Sequence, residues 1–364
     1  MSKAIVPLLS RHDGRNTQPQ PLHYRYANQS GNIRRPRGGP MSGQKYALLI
    51  LPIEVSRNDG RRQFDSATET FIARLPELVD PAELRHWKEW WGSVQWAEVE
   101  KSHRMVLTCG ESSRPDVLDA ENVALTDRLY SVWQALPLAS PLHGSWGISW
   151  MLTGEATADR KLKSIREVSR LNELVRPFYK TRKSFWSKLP RGIPDPWLDR
   201  WIEIEGLLRN YAAASALPDI LAIGLKAFAS GLGRDDLEFR IPDLVRAAEC
   251  ILAIPKGPGA KVFAARAMQV APALVNNWFA SGPDLDTKLI ELYQHRNDCV
   301  HGKVPFRSLL ARGEAGADDA ARLEYLAEAI AREVLVHALR SPGKHTEFHD
   351  RDRLEDAWKA GRLP

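Results

Sequence analysis

Leu292-Tyr293-Gln294-His295-Arg296-Asn297-Asp298-Cys299-Val300-His301-Gly302 is the stretch on which the reading of this chain turns. Counting back from it, Leu285, Leu289, Leu292, Arg296 and Val300 recur at helical spacing. That period predicts an amphipathic helix over 284–300, stopped by Gly302. The last turn carries an arginine, two polar side chains and a histidine. Arginine and histidine at such a place cap free carbonyls and complement the negative end of the helix dipole. They are also a charge-stabilising group and an acid–base group five residues apart.

The spacing alone is common. R-x4-H occurs again at Arg332/His337 and at Arg340/His345. A five-residue step turns a straight helix by about 140°, so a mid-helix pair such as Arg332/His337 points in different directions. Pro342 and Gly343 interrupt the Arg340 copy. Only at Arg296/His301 does a glycine end the helix and leave the histidine freedom to turn back. This copy, with Asn297 after the arginine and Gly302 after the histidine, resembles the R-x4-H signature of HEPN domains. The wider pattern L-Y-x-x-R-N-x-x-V-H-G is similar to the Apea-like HEPN branch. The resemblance implies a helical bundle and metal-independent endoribonuclease activity, with no cofactor, of the kind found in toxin and phage-defence systems. It also implies a homodimer in which two motif helices share a cleft, and an antitoxin or a phage-derived trigger as a further partner.

Composition sets the compartment. The 364 residues suffice for two domains, and 43% hydrophobic with 26% charged residues are ordinary globular values. Cys109, Cys250 and Cys299 are odd in number and unpatterned, which points to a reducing cytoplasm and away from disulfides or a zinc site. No run approaches the ~20 apolar residues of a membrane span, and the apolar start is too short for a signal peptide. The net charge of +6 is carried by residues 1–40, where seven basic residues face Asp13 alone. Residues 1–44, aperiodic and ending in Arg34-Arg35-Pro36-Arg37-Gly38-Gly39, are expected to be a disordered basic arm.

From Tyr46 the pattern becomes globular. Short apolar runs at 46–53, 104–109 and 146–152 fit strands, and 65–75, 119–136 and a segment from Pro81 fit helices. The sum is a mixed α/β domain over 45–155, of sensor or regulatory character. Trp87, Trp90, Trp91 and Trp96 suit either a base-stacking platform or, more simply, the buried face of a helix. Residues 156–195 form a basic connector. Within 160–191 eleven basic residues, among them Arg170, Arg176, Lys180, Arg182 and Lys183, face Glu167 and Glu173, with Phe178, Tyr179, Phe185 and Trp186 interleaved. That mixture suits RNA backbone contact or a solvated linker equally.

The remaining chain, 196–342, reads as almost wholly helical, with segments at 197–214, 217–232, 241–254, 261–279, 284–300 and 320–339 separated by Gly and Pro signals. The resemblance covers this part, where Leu244–Leu252 and Phe263–Val270 stand in the places of the family's upstream helices. A charged tail, 343–364, follows. The fold class expected is therefore α+β overall, with an N-terminal mixed α/β domain and a C-terminal all-α HEPN-like bundle.

Two other motifs carry less. Gly257-Pro258-Gly259-Ala260-Lys261 lacks the spacing of a phosphate loop and lies between helices. His345 and His349 with Asp350 have metal-ligand chemistry, but in a charged tail.

For the motif itself, RNA is cut without a metal when its 2′-hydroxyl attacks the neighbouring phosphorus. His301 is the acid–base residue, since an imidazole titrates near neutrality. Arg296 stabilises the charge that grows on the phosphate oxygens. Asn297 orients either residue or the phosphate, and Asp298 supports by pairing with Arg296 or faces solvent. The alternative is a non-catalytic HEPN-like scaffold that binds RNA or protein, in which Arg296 and His301 cap a helix.

Overall fold

The computed structural model describes residues 43–51, 54–55, 62–65, 70–73, 75–86, 88, 104–112, 132, 135–139, 148–156, 162–170, 192–193, 195–214, 217–255, 259–271, 285–341 and 347–363. Residues 1–42 and Trp87, Trp90, Trp91, Trp96, Arg176, Lys180, Arg182, Lys183 and His345, for which roles were weighed above, lie outside them.

Backbone pairing joins β1 (Gly43–Leu51), β3 (Arg62–Asp65), β4 (Thr70–Ala73), β5 (Arg104–Ser112), β6 (Ile148–Ala156) and β7 (Leu162–Arg170) in the order β3-β4-β5-β1-β6-β7. Every one of these pairings is antiparallel, with Leu48 of β1 opposite both Leu107 and Trp150. Arg170 ends β7, within the stretch read as a basic connector. β2 (Glu54–Val55) pairs in parallel with β8 (Gly192–Ile193). Short helices α1 (Leu75–Leu78) and α2 (Pro81–His86) follow β4, and the Asp80 carboxylate accepts from the Ala82 amide at 2.8 Å.

The expected fold class, α+β with a mixed α/β domain, is corrected. Among the described residues the protein is mostly helical. The contiguous buried core runs from Val132 to Leu363 and is built from helix faces. Short apolar runs fit a strand and a buried helical segment alike, so they could not show which elements would carry the core.

The bundle consists of α3 (Asp195–Ala214), α4 (Asp219–Leu232), α5 (Leu237–Leu252), α6 (Gly259–Val270), α7 (Leu285–Val300), α8 (Pro305–Leu310), α9 (Glu314–Leu339) and α10 (Arg351–Lys359). Helix α5 begins four residues before the expected start at Ile241. Asp236 caps it by accepting from the Glu238 amide at 3.0 Å, and Pro242 is carried in its second turn. Helices α4 and α5 lie close because Gly231 has no side chain: a Cβ there would meet Leu244 Cγ at 2.8 Å.

Helix α9 is the axis of the bundle. It touches each of α3 to α8 and is buried on nearly every side, not along one stripe. Its interior charges are paired: Glu324 with Arg240 of α5 at 3.0 Å, and Arg332 with Glu328, while Arg332 Nε donates to the Pro137 carbonyl at 2.7 Å. Removing one partner of such a pair leaves an uncompensated buried charge, at a cost of ~3–5 kcal/mol. Among the described residues no helix is long and apolar enough to cross a membrane.

Within the stretch expected as a charged tail, Arg351–Lys359 form a helix. Asp350 caps α10 by accepting from the amides of Asp352 at 2.7 Å and Arg353 at 3.2 Å, so its carboxylate serves a helix start. Leu354, Ala357 and Trp358 are buried, and Trp358 Nε1 donates to the Ile251 carbonyl at 3.0 Å. Arg266 of α6 lies 4.9 Å over the same ring. The high charge of 350–362 obscured three apolar residues at helical spacing. Replacing Trp358 by alanine is expected to destabilise the protein by ~3–5 kcal/mol, read by urea unfolding. A loss under ~1 kcal/mol would mean that α10 is not docked on α5.

Candidate functional site

Helix α7 buries Leu285, Leu289, Leu292 and Tyr293. The apolar stripe stops there: Arg296 is half-buried, and Val300, which the spacing had placed on it, is 60% exposed. The helix ends in a Schellman arrangement. Gly302 adopts φ +78°, its amide donates to the Cys299 carbonyl at 3.0 Å, and the Lys303 amide reaches back to the Asp298 carbonyl at 2.9 Å. Glycine takes that left-handed conformation without strain. His301 is thereby the last residue before the turn and is exposed; among the described residues its imidazole hydrogen-bonds to none.

Arg296 is anchored from two sides. Its Nη2 donates to Glu249 Oε2 of α5 at 2.5 Å, and its Nη1 donates to Asn297 Oδ1 at 2.9 Å. The guanidinium also lies 5.6 Å over the Tyr293 ring, and Nε is buried with no partner among the described residues. One N–H on each Nη stays uncommitted, which is the pair a phosphate would use. Glu249 holds more than the arginine, since the Tyr293 hydroxyl donates to the same carboxylate. Asn297 therefore orients Arg296. Asp298 does not pair with Arg296: its carboxylate accepts from Lys303 Nζ at 2.7 Å, which holds it below the usual carboxylate range.

Arg296, Asn297 and His301 line one cleft of about 860 Å³. Its walls come from α4, α5, the segment after α5, the first turn of α6, α7 and the start of α10. Ile220, Ile223, Ile254, Pro255 and Ile290 supply apolar lining; among the described residues Arg246, Lys261 and Arg351 add three cations to Arg296 against the single carboxylate of Glu249. Gly259 lets α6 approach, because a Cβ there would lie 2.9 Å from the Tyr293 hydroxyl. The Gly259-Ala260-Lys261 part of the glycine-proline loop thus borders the site, although its spacing had argued against a phosphate role.

Cys250 lines the cleft, and burial pushes its thiol up. Cys299 donates to Glu238 Oε2 at 3.1 Å, and burial together with that carboxylate pushes its thiol far up. Both thiols stay protonated near neutrality, so neither supplies a thiolate nucleophile.

The other two R-x4-H copies are occupied elsewhere. Arg332 is buried on Glu328 and Pro137. Arg340 forms a fork on Glu203, with 2.7 and 2.6 Å contacts. Sequence reasoning missed Glu249, Arg246 and Arg351. One signal existed for Glu249: it is the one acidic residue in the run Leu244–Leu252, three residues after Arg246.

The Tyr293 phenol is pushed up to about 12, first by burial and then by the Glu249 carboxylate. An unfolded tyrosine titrates near 10, so the folded chain keeps this proton where the unfolded chain loses it. The associated stability is fully present below about pH 10 and is lost as pH rises through the folded value. The expected outcome is a tyrosinate absorption step near pH 12 in the difference between wild type and Tyr293→Phe. Glu249→Gln should move that step down, and an unperturbed step near 10 would contradict the contact. No family model, no curated protein and no solved structure matches the chain.

Proposed function

We propose that this protein is a metal-independent endoribonuclease of HEPN type that acts in the cytoplasm, as a toxin or phage-defence effector. The observation that carries the reading is the sharing of one cationic cleft by Arg296, Asn297 and His301, with the arginine held by Glu249 and the histidine exposed at its rim. The resemblance of the motif to Apea-like HEPN domains supports it.

In this reading the RNA 2′-hydroxyl attacks the adjacent phosphorus, and the bond to the 5′-oxygen breaks. His301, in its imidazolium form, gives its proton to the leaving 5′-oxygen. The free hydrogens of Arg296 meet the oxygens that gain charge in the pentacoordinate transition state. A second copy of the chain brings its own His301 to take the 2′-hydroxyl proton. Val300 and Val304, 60% and 43% exposed on either side of His301, and Phe239, 62% exposed beside Glu238, supply apolar surface for that pairing. The products are a 2′,3′-cyclic phosphate and a 5′-hydroxyl end.

A second reading has its own observation. The Glu249–Arg296 pair ties α5 to α7, which is what a structural arginine in a non-catalytic RNA- or protein-binding bundle would do.

The test is induced expression of wild type beside His301→Ala and Arg296→Ala, with RNA integrity, product ends and thermal melting recorded, in the presence and absence of a phage challenge. Under the nuclease reading wild type fragments RNA to cyclic-phosphate ends, a chelator has no effect, and His301→Ala melts like wild type while losing at least ~100-fold in rate. Equal RNA integrity in all three, with a lower melting temperature only for Arg296→Ala, supports the scaffold.

A further inference from the structure

The three cations that share the cleft with the motif have no part in the chemistry just described. Arg246 stands on the second half of α5, Lys261 in the first turn of α6 and Arg351 at the start of α10, so three separate elements converge on one concavity. All three are exposed, and among the described residues neither Arg246 nor Lys261 has an ion-pair partner. Arg351 is steadied by a 2.9 Å bond from Nη2 to the Ile254 carbonyl, which leaves its other N–H groups free. Exposed cations of a stable bundle are usually scattered or interleaved with carboxylates. Here, among the described residues, one carboxylate shares the cleft with four cations, and Glu249 is already taken up by Arg296 and Tyr293.

Aliphatic side chains line the same cleft, with Ile223 49% exposed. A volume of about 860 Å³ is within the range that encloses a drug-sized molecule, enough for a nucleotide or two and too small for a duplex. Cations and apolar surface within one concavity match a single strand, which carries charged phosphates and flat bases. The wall contains isoleucines and a proline instead of a row of aromatic rings, so it offers bases a surface without strong stacking.

We infer that Arg246, Lys261 and Arg351 form phosphate subsites that hold the single-stranded RNA backbone on the nucleotides flanking the one at Arg296 and His301. The inference rests on the nuclease reading for its substrate, and it assigns these residues to binding and register, not to the reaction. Backbone contacts of this type give affinity with little base preference and strong salt dependence.

The experiment uses the full chain and a fluorescent 2′-O-methyl octauridylate, which has no free 2′-hydroxyl and is therefore bound but not cut. Anisotropy titrations over a range of salt compare wild type, the double variant Arg246→Gln/Lys261→Gln, the charge-conserving Arg246→Lys, and Arg322→Gln, an exposed arginine of α9 away from the cleft. Single-strand contacts contribute a slope of about 0.7 per phosphate, so the double variant should lower the salt slope by about 1.4 and bind about tenfold more weakly. Arg246→Lys should keep the slope, and Arg322→Gln should bind within about twofold of wild type. A double variant that melts like wild type and binds with unchanged affinity and slope overturns the inference, as does a wild type that does not bind the oligonucleotide. Competition by inorganic phosphate as effective as by the oligonucleotide also overturns it, since an isolated anion site would then explain the cations. Cleavage of unmodified RNA, measured in parallel, separates the two readings. Binding through these cations without cleavage ends the nuclease reading and leaves the subsites standing. Cleavage with a KM and salt slope indifferent to the double variant does the reverse.

Discussion

The pair between Glu249 and Arg296 is the constraint on which the site depends. It crosses from α5 to α7 with both side chains largely removed from water, and the Tyr293 hydroxyl shares the carboxylate. An ion pair so placed has an unfavourable desolvation term that only good geometry offsets. Here the geometry includes Asn297 on the other Nη, the Tyr293 ring beneath the guanidinium, and Gly259 opening the space for that ring. The cost of holding Arg296 still is thus met by the folded bundle before any ligand arrives, and a preformed charge is what a phosphate-stabilising group needs.

That arrangement relies on helices other than α7 itself. Helix α9 reaches each of α3 to α8, and its buried pair with Arg240 ties it to α5. Helix α5 in turn carries Arg246, Glu249 and Cys250 to the cleft. The C-terminal helix α10 closes the same wall: Trp358 docks on the end of α5, and Arg351 braces the Ile254 carbonyl at the cleft's edge. Rigid helices hold the charged side chains, and the turn at Gly302 presents the histidine.

Much of the helical half could be read from the chain. The period of α7, the stop at Gly302 and the unique context of Arg296/His301 were visible because local backbone chemistry dictates them. The fold class was not. Apolar runs in the N-terminal half pointed to a mixed α/β domain, whereas the described core is a helical one, since short apolar runs do not encode which faces meet. Helix α10 escaped notice because its charges outnumber its three buried residues. Asp298 was an open case that local geometry resolved toward Lys303, five residues on in the chain, instead of Arg296.

By itself the sequence determined the motif helix α7, its stop at Gly302, and the presence of an arginine and a histidine at that helix end, because these follow from spacing and glycine within a few residues. Only the tertiary structure decided that Glu249, 47 residues away, holds the arginine, and that Arg246, Lys261 and Arg351 border the same cleft. Such partners are chosen by how helices cross, and crossing depends on packing summed over the whole bundle, not on any local pattern.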